Sequence, residues 1–221
     1  MPASFFHVDD KDELFLKSQW DKLASAYISD HSITDHIFQV LREKYSEKSR
    51  FYHNLSHVKT LLNLCASLEH KIQDQNAVRF SIWFHDIVYN TQRKDNELES
   101  TRVTADLLGK LRVNPETMER VKDLILATQY HAGANLTQDA KLFLDMDLAI
   151  LGASEEVYEE YSRAIRKEYS WVSEPRYRTG RKNVLTNFME RERIYFTDEM
   201  KIRFETQART NINREIKSLD T

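Results

Sequence analysis

The sequence predicts an all-α fold of about ten helices, and three observations carry that reading. Apolar residues recur at three and four residue spacing along almost the whole chain, the repeat of a helix with one buried face. No stretch of strict apolar and polar alternation is long enough for a half-buried strand. Only four glycines and three prolines occur in 221 residues, too few for the many tight turns of a sandwich, a barrel or a doubly wound sheet.

The spacing predicts helices at about 11 to 28, 33 to 46, 54 to 70, 74 to 89, 96 to 111, 115 to 129, 138 to 151, 154 to 169, 174 to 191 and 198 to 218, with ends placed to within about 2–4 residues. The first two rest on apolar recurrence alone. The third begins at Asn54, a good N-cap, and contains Leu61, Leu62, Leu64, Cys65 and Leu68. Cys65 is the one cysteine; it can form no internal disulfide and reads as a small core hydrophobe in a reducing compartment. In the fourth, Phe80 to Tyr89, the large residues leave no polar stripe, so this is a central helix that buries His85 and Asp86. The fifth again rests on spacing. The sixth opens with Asn114-Pro115, a cap followed by proline at the first helical position.

In the seventh, the segment Leu142 to Leu151 is apolar apart from Asp145 and Asp147, and Gly152 ends it. Residues two apart on a helix point about 200° apart, so only one of the two acids can face a given site. Asp147 has Phe143, Leu144, Ile150 and Leu151 as its three and four residue neighbours and is expected to be the more buried. The eighth and ninth follow from spacing. The last starts at Thr197-Asp-Glu and has an apolar stripe of Met200, Phe204, Ala208, Ile212, Ile216 and Leu219. No repeat, low-complexity tract or linker interrupts the chain, which predicts one domain over residues 1–221.

Composition excludes several functions. With 41% hydrophobic and 30% charged residues the chain is globular rather than disordered. A net charge of -3 and a pI near 6.3 give no basic field to gather nucleic acid. No segment approaches the ~18 apolar residues that span a bilayer, and the first ten residues lack the basic and apolar regions of a signal peptide. No membrane partner and a cytoplasmic location are the expectations.

A carboxylate in an apolar helix is costly unless it is paired, hydrogen-bonded or bound to a metal. Here His85-Asp86 and Asp147 occupy apolar helices, and the third helix adds His53 and His57, four apart and able to share a face. His57, His85, Asp86 and Asp147 offer two imidazole nitrogens and two carboxylates, a set that suits Mn²⁺, Fe²⁺, Co²⁺, Ni²⁺ or Zn²⁺ better than Ca²⁺, with Mg²⁺ also open. So few side chains would leave positions for water and substrate.

The order His57, then His85-Asp86, then a distant Asp147 resembles the H…HD…D signature of the HD-domain superfamily of metal-dependent phosphohydrolases. The stretches Arg50-Phe-Tyr-His-Asn-Leu-Ser-His57, Trp83-Phe-His-Asp-Ile-Val-Tyr-Asn90, Asn96-Glu97 with Ser100, Thr128-Gln-Tyr-His131, Leu144-Asp-Met-Asp-Leu-Ala-Ile-Leu-Gly152, Gly180-Arg181 and Ala208-Arg209 look like a predicted phosphohydrolase family of about this length. The likeness covers roughly residues 10 to 216. It implies an all-α HD fold, a divalent metal held by the four residues, and hydrolysis of a phosphate ester or anhydride by a metal-activated water. A small phosphorylated substrate, a nucleotide or another phosphomonoester, is the implied partner.

Tyr52-His53-Asn54-Leu-Ser-His57 also resembles the metal-site motif of cyclic nucleotide phosphodiesterases, in which the first histidine is a general acid. Those enzymes have another histidine four residues after that of the HD pair, where this chain has Tyr89; a phosphodiesterase activity is the weaker enzymatic alternative. His53 is thus a candidate leaving-group acid, or a residue before a helix cap that bonds backbone. Glu97 is either a ligand to a second metal or an exposed acid. His131 either meets the substrate or ends a helix in solvent. Arg50, beside the motif, and Arg181, in the one dense basic run, are candidates for the substrate phosphate because guanidinium forks match phosphate oxygens. The alternative from another class is a non-catalytic protein that binds a nucleotide in the same pocket for regulation.

Overall fold

The computed structural model describes residues 6–131 and 135–220. Among them are ten α-helices, two short 3-10 turns and no strand, as the periodicity predicts. No described helix is long and apolar enough to cross a membrane. The chain divides into two compact units, residues 6–143 and 144–220, and the division falls inside one helix, α7 (Gln138–Asp147). The N-terminal segment read above for a leader lies partly outside the described residues.

The first unit contains α1 (Asp10–Ala24), α2 (His31–Tyr45), α3 (Leu55–Ser67), α4 (Gln75–Phe84), α5 (Asn96–Lys110) and α6 (Pro115–Ala127). Asp9, Asp30, Asn54, Asp74 and Asn114 each accept a backbone N–H from the first turn that follows, so five helix starts are capped by the residue type the sequence supplies there. Helix α4 is the central one. Val78, Phe80, Ile82, Trp83 and Phe84 are fully buried, and the Trp20 ring of α1 meets Phe80, Trp83 and Phe84 edge-on at 5.8–6.3 Å between centroids. Two polar tips near this cluster find backbone partners, while the buried Trp83 indole N–H has none. The Trp20 indole N–H donates to Thr34 O at 2.9 Å and the Tyr45 hydroxyl donates to Trp83 O at 3.1 Å.

Helix α4 stops at Phe84, five residues short of the predicted end, although neither glycine nor proline follows. Side chains from elsewhere take the backbone groups that a longer helix would use. Arg50 donates to Asp86 O at 2.6 Å and Ile87 O at 3.1 Å, the Ser100 hydroxyl accepts from Val88 N–H at 3.2 Å, and the Asn96 amide bonds both N–H and C=O of Asn90 at 3.0 Å. His85 therefore closes the helix and Asp86 lies in the turn beyond it.

The second unit contains the end of α7, a 3-10 turn at Leu148–Gly152, α8 (Glu155–Glu168), α9 (Glu174–Met189) and α10 (Asp198–Leu219). The predicted stripe of α10 is its buried face: Met200, Ala208 and Ile212 are fully buried, and Asn211 among them donates to Leu151 O and Ala153 O at 2.9 Å. Gly152 is explained by proximity rather than by helix termination. A Cβ there would lie 2.6 Å from Phe204 Cβ and 2.7 Å from Phe204 O, so only glycine lets α10 approach the turn. A buried ion pair crosses the unit. Glu215 accepts from Arg181 Nε at 2.8 Å, Tyr158 hydroxyl at 2.6 Å and Ser162 hydroxyl at 3.0 Å. Burial works to raise the Glu215 carboxyl, but the Arg181 guanidinium with the two hydroxyls outweighs it and holds the group below its usual range.

This packing sets the stability of three variants. Gly152→Ala should cost about 1–3 kcal/mol in denaturant unfolding through overpacking, whereas Gly180→Ala, with open space around the added methyl in α9, should stabilise by about 0.5–1 kcal/mol. Because the folded Glu215 carboxyl titrates below the unfolded one, its contribution is present above the ordinary glutamate value of 4.5 and is lost as pH falls through the lowered one. Glu215→Gln should therefore destabilise the chain by about 3–5 kcal/mol at neutral pH, leaving Arg181 buried without its counter-charge, and should flatten the acid limb of the stability profile. An unchanged acid limb would show that the pair does not govern it.

Candidate metal centre

The residues of the centre come from α3, the end of α4 and the last turn of α7. Asn54 caps α3 so that His57 falls in its first turn, and His85 ends α4; both are buried. Their Nε2 atoms face each other at 3.2 Å. Two nitrogens that share one ion at about 2.1 Å keep a separation of about 3.0 Å at a right angle and about 3.4 Å at a tetrahedral angle, and the observed distance lies between. Helix α7 brings Phe143 edge-on to the His85 ring, at 5.7 Å between centroids, and one turn further along the same face comes Asp147. His57, His85 and Asp147 each offer an atom such that all three lie within 4.8 Å of one another. A His/His/Asp group able to hold a divalent metal ion, with both histidines buried, is thus present.

The chemistry of the donors fits such an ion. His85 Nδ1 lies 3.1 Å from Ile82 O, a group that only accepts, so Nδ1 has the hydrogen. A neutral His85 then points its Nε2 lone pair toward His57 Nε2 and toward Asp86 Oδ2, 3.1 Å away. A lone pair and a carboxylate at that distance repel unless a proton or a cation lies between them. Asp86 stands beside His85 in this way but outside the mutual 4.8 Å group.

The expectation that Asp147 is the more buried of the two α7 acids is overturned. Asp145 is fully buried and Asp147 is half-buried. Asp145 accepts from Phe196 N–H at 2.6 Å, Thr197 N–H at 2.7 Å and Thr197 hydroxyl at 2.6 Å. Burial pushes its carboxyl up, opposed by these hydrogen bonds. Neighbours three and four away on the same helix did not decide its burial; a segment 51 residues later did.

The other candidates divide. His53, half-buried just before the α3 cap, stacks on Tyr89 and meets His57 edge-on at 5.9 Å between centroids. Glu97, in the first turn of α5, is half-buried; burial raises its carboxyl, the Asp86 charge adds to this and His131 opposes it, so these three share one electrostatic neighbourhood. His131 is half-buried with a left-handed backbone, φ 44°, uncommon outside glycine. Arg50 is turned inward: its side chain is fully buried and donates to the carbonyls of His53, Asp86 and Ile87. Arg181 is bonded to Glu215 and to the Tyr161 hydroxyl within its own unit. Arg209, from another block quoted above, bonds Glu205 and the carbonyls of Met189, Arg191 and Glu192. Sequence reasoning did not single out Ser100, Asn96 and Tyr89 as supports of the His85-Asp86 turn, although all three fall within its quoted motifs.

The two α7 acids should separate cleanly on substitution. Asp147→Asn should weaken metal binding by more than the about 10–100-fold typical of losing an outer partner, measured by calorimetric titration with Mn²⁺ or Zn²⁺, with little change in folding. Asp145→Asn places an amide donor against three donors and should cost about 1.5–3 kcal/mol of stability while leaving the folded protein's metal affinity nearly intact. The reverse pattern would remove Asp147 from the centre. No family model, no curated protein and no solved structure matches the chain, so the assignment of this centre rests on its own geometry.

Proposed function

We propose that the chain is a metal-dependent hydrolase that cleaves a phosphate ester or anhydride of a small molecule, a nucleotide or another phosphomonoester, with the H…HD…D residues of the HD superfamily as its metal ligands. The observation that carries the reading is the pair of buried Nε2 atoms 3.2 Å apart with the Asp147 carboxylate in the same group. His57, His85 and Asp147, with Asp86 beside them, would hold the ion. When bound, a divalent metal supplies Lewis acidity, polarising a phosphoryl oxygen and lowering the pKa of a water.

The chain's own residues do the rest. His85 is held in one tautomer by Ile82 O, so that its Nε2 faces the centre. Asp86, next to it in the chain, is assigned to accept a hydrogen bond from an attacking water. His53, on the α3 side, is assigned as the acid that protonates the departing oxygen. Arg50 is reassigned from the phosphate to the backbone: it sets the spacing of the two histidine-bearing segments through His53 O, Asp86 O and Ile87 O. Glu97, whose carboxyl feels the charges of both Asp86 and His131, is assigned with His131 to the substrate or second-metal side.

The test is metal analysis of the purified protein followed by a phosphate-release screen over nucleotides and sugar phosphates with Mn²⁺, Co²⁺, Ni²⁺, Zn²⁺ and Mg²⁺. Turnover should require metal, stop in excess EDTA, and fall by at least about 10²-fold in His57→Ala and Asp147→Asn, the loss expected when several kcal/mol of charge stabilisation is removed. Hydrolysis that persists in EDTA would end this reading. Bound metal and bound nucleotide without turnover in any class would make the protein a sensor instead.

A further inference from the structure

We infer that Tyr89 is a positioning residue for His53, holding the imidazole in one orientation for proton transfer to the leaving group; this rests on the reading of His53 as that acid. His53 precedes the cap of α3, so no helical backbone restricts its side chain, and its orientation has to come from neighbours. Tyr89 supplies it. The two rings are stacked, with centroids 4.1 Å apart and planes 27° from parallel. Tyr52 closes a second side edge-on, with centroids at 4.9 Å. A ring covered on its face cannot turn about its long axis, so its two nitrogens are confined to one plane.

The mount of Tyr89 is itself rigid. On one side Ser100 bonds the N–H and C=O of Val88 at 3.2 and 3.3 Å, and on the other Asn96 bonds those of Asn90 at 3.0 Å. The Arg50 guanidinium carbon lies 5.5 Å from the centre of the Tyr89 ring and 5.0 Å from that of Tyr45, while its NH1 donates to His53 O at 3.1 Å. One buried arginine thus holds the histidine by its backbone and the tyrosine by its ring. General acids lose rate steeply when misplaced by a fraction of an ångström to an ångström, which gives this bracket a chemical role beyond packing.

The experiment compares wild type, His53→Ala, Tyr89→Leu, Tyr89→Phe and the double variant His53→Ala/Tyr89→Leu at equal Mn²⁺ content. The substrates are a nucleoside 5′-monophosphate, whose alkoxide needs a proton, and p-nitrophenyl phosphate, whose leaving group needs little. Tyr89→Leu should slow the monophosphate by about 10–100-fold and the aryl ester by less than about 3-fold, with KM little changed. The ring-retaining Tyr89→Phe should rescue the loss, and the double variant should be no slower on the monophosphate than His53→Ala, since both act through one group. A second readout needs no turnover: in NMR of the metal-free protein, the His53 ring protons, identified by their absence in His53→Ala, should lie upfield under the Tyr89 ring and return toward ordinary values in Tyr89→Leu.

Equal losses on both substrates, or additive losses in the double variant, would overturn the positioning role. So would His53 resonances that do not move in Tyr89→Leu. If His53→Ala itself fails to discriminate between the substrates while Tyr89→Leu still moves the resonance, the acid assignment fails and takes the inference with it, although the stack stands.

Discussion

The Arg50 guanidinium ties the segment before α3 to the turn after α4, and the spacing of the two facing imidazoles depends on that tie. Its side chain has no exposure to water, and its charge is met by three backbone carbonyls and two aromatic faces, with the Glu47 carboxylate at 3.6 Å. Hydrogen bonds from a charged donor are roughly twice as strong as neutral ones, and a lysine, with one point charge, could not reach the same three oxygens in a plane. The arrangement converts a cost, a buried cation, into a fixed distance between two chain segments 36 residues apart.

The turn from His85 to Asn90 shows how irregular backbone is kept ordered close to a site. It makes no regular ladder; side chains from other elements, Arg50, Ser100 and Asn96, take the Asp86 and Ile87 carbonyls, the Val88 N–H and both backbone groups of Asn90. That matching frees His85 and Asp86 from a helical register and lets adjacent residues present different faces to the same small volume.

Much of this was legible in the sequence. The three and four residue spacing identified all ten helices, Asn54 and Asn114 marked two of their starts, and His57, His85 and Asp147 were singled out before any geometry. What failed to show was tertiary in origin. The end of α4 has no breaker residue, because it is set by side chains that arrive from α5 and from the segment before α3. Asp145 looked the less buried acid because its partners, Phe196 and Thr197, are far away in the chain. Arg50 and Arg181 read as phosphate donors since an arginine beside a motif shows its charge in the sequence but not its acceptor. In both cases the acceptor is protein.

The two acids at the end of α7 have a consequence for local opening. Asp147 belongs to the centre, while Asp145, two residues back on the opposite face, holds the amides of Phe196 and Thr197, where α10 begins. Any ligand that orders the last turn of α7 lowers the population of states in which Asp145 has let go, and coupling of this kind is reciprocal. Hydrogen exchange at those two amides therefore reads how firmly the last turn of α7 is held.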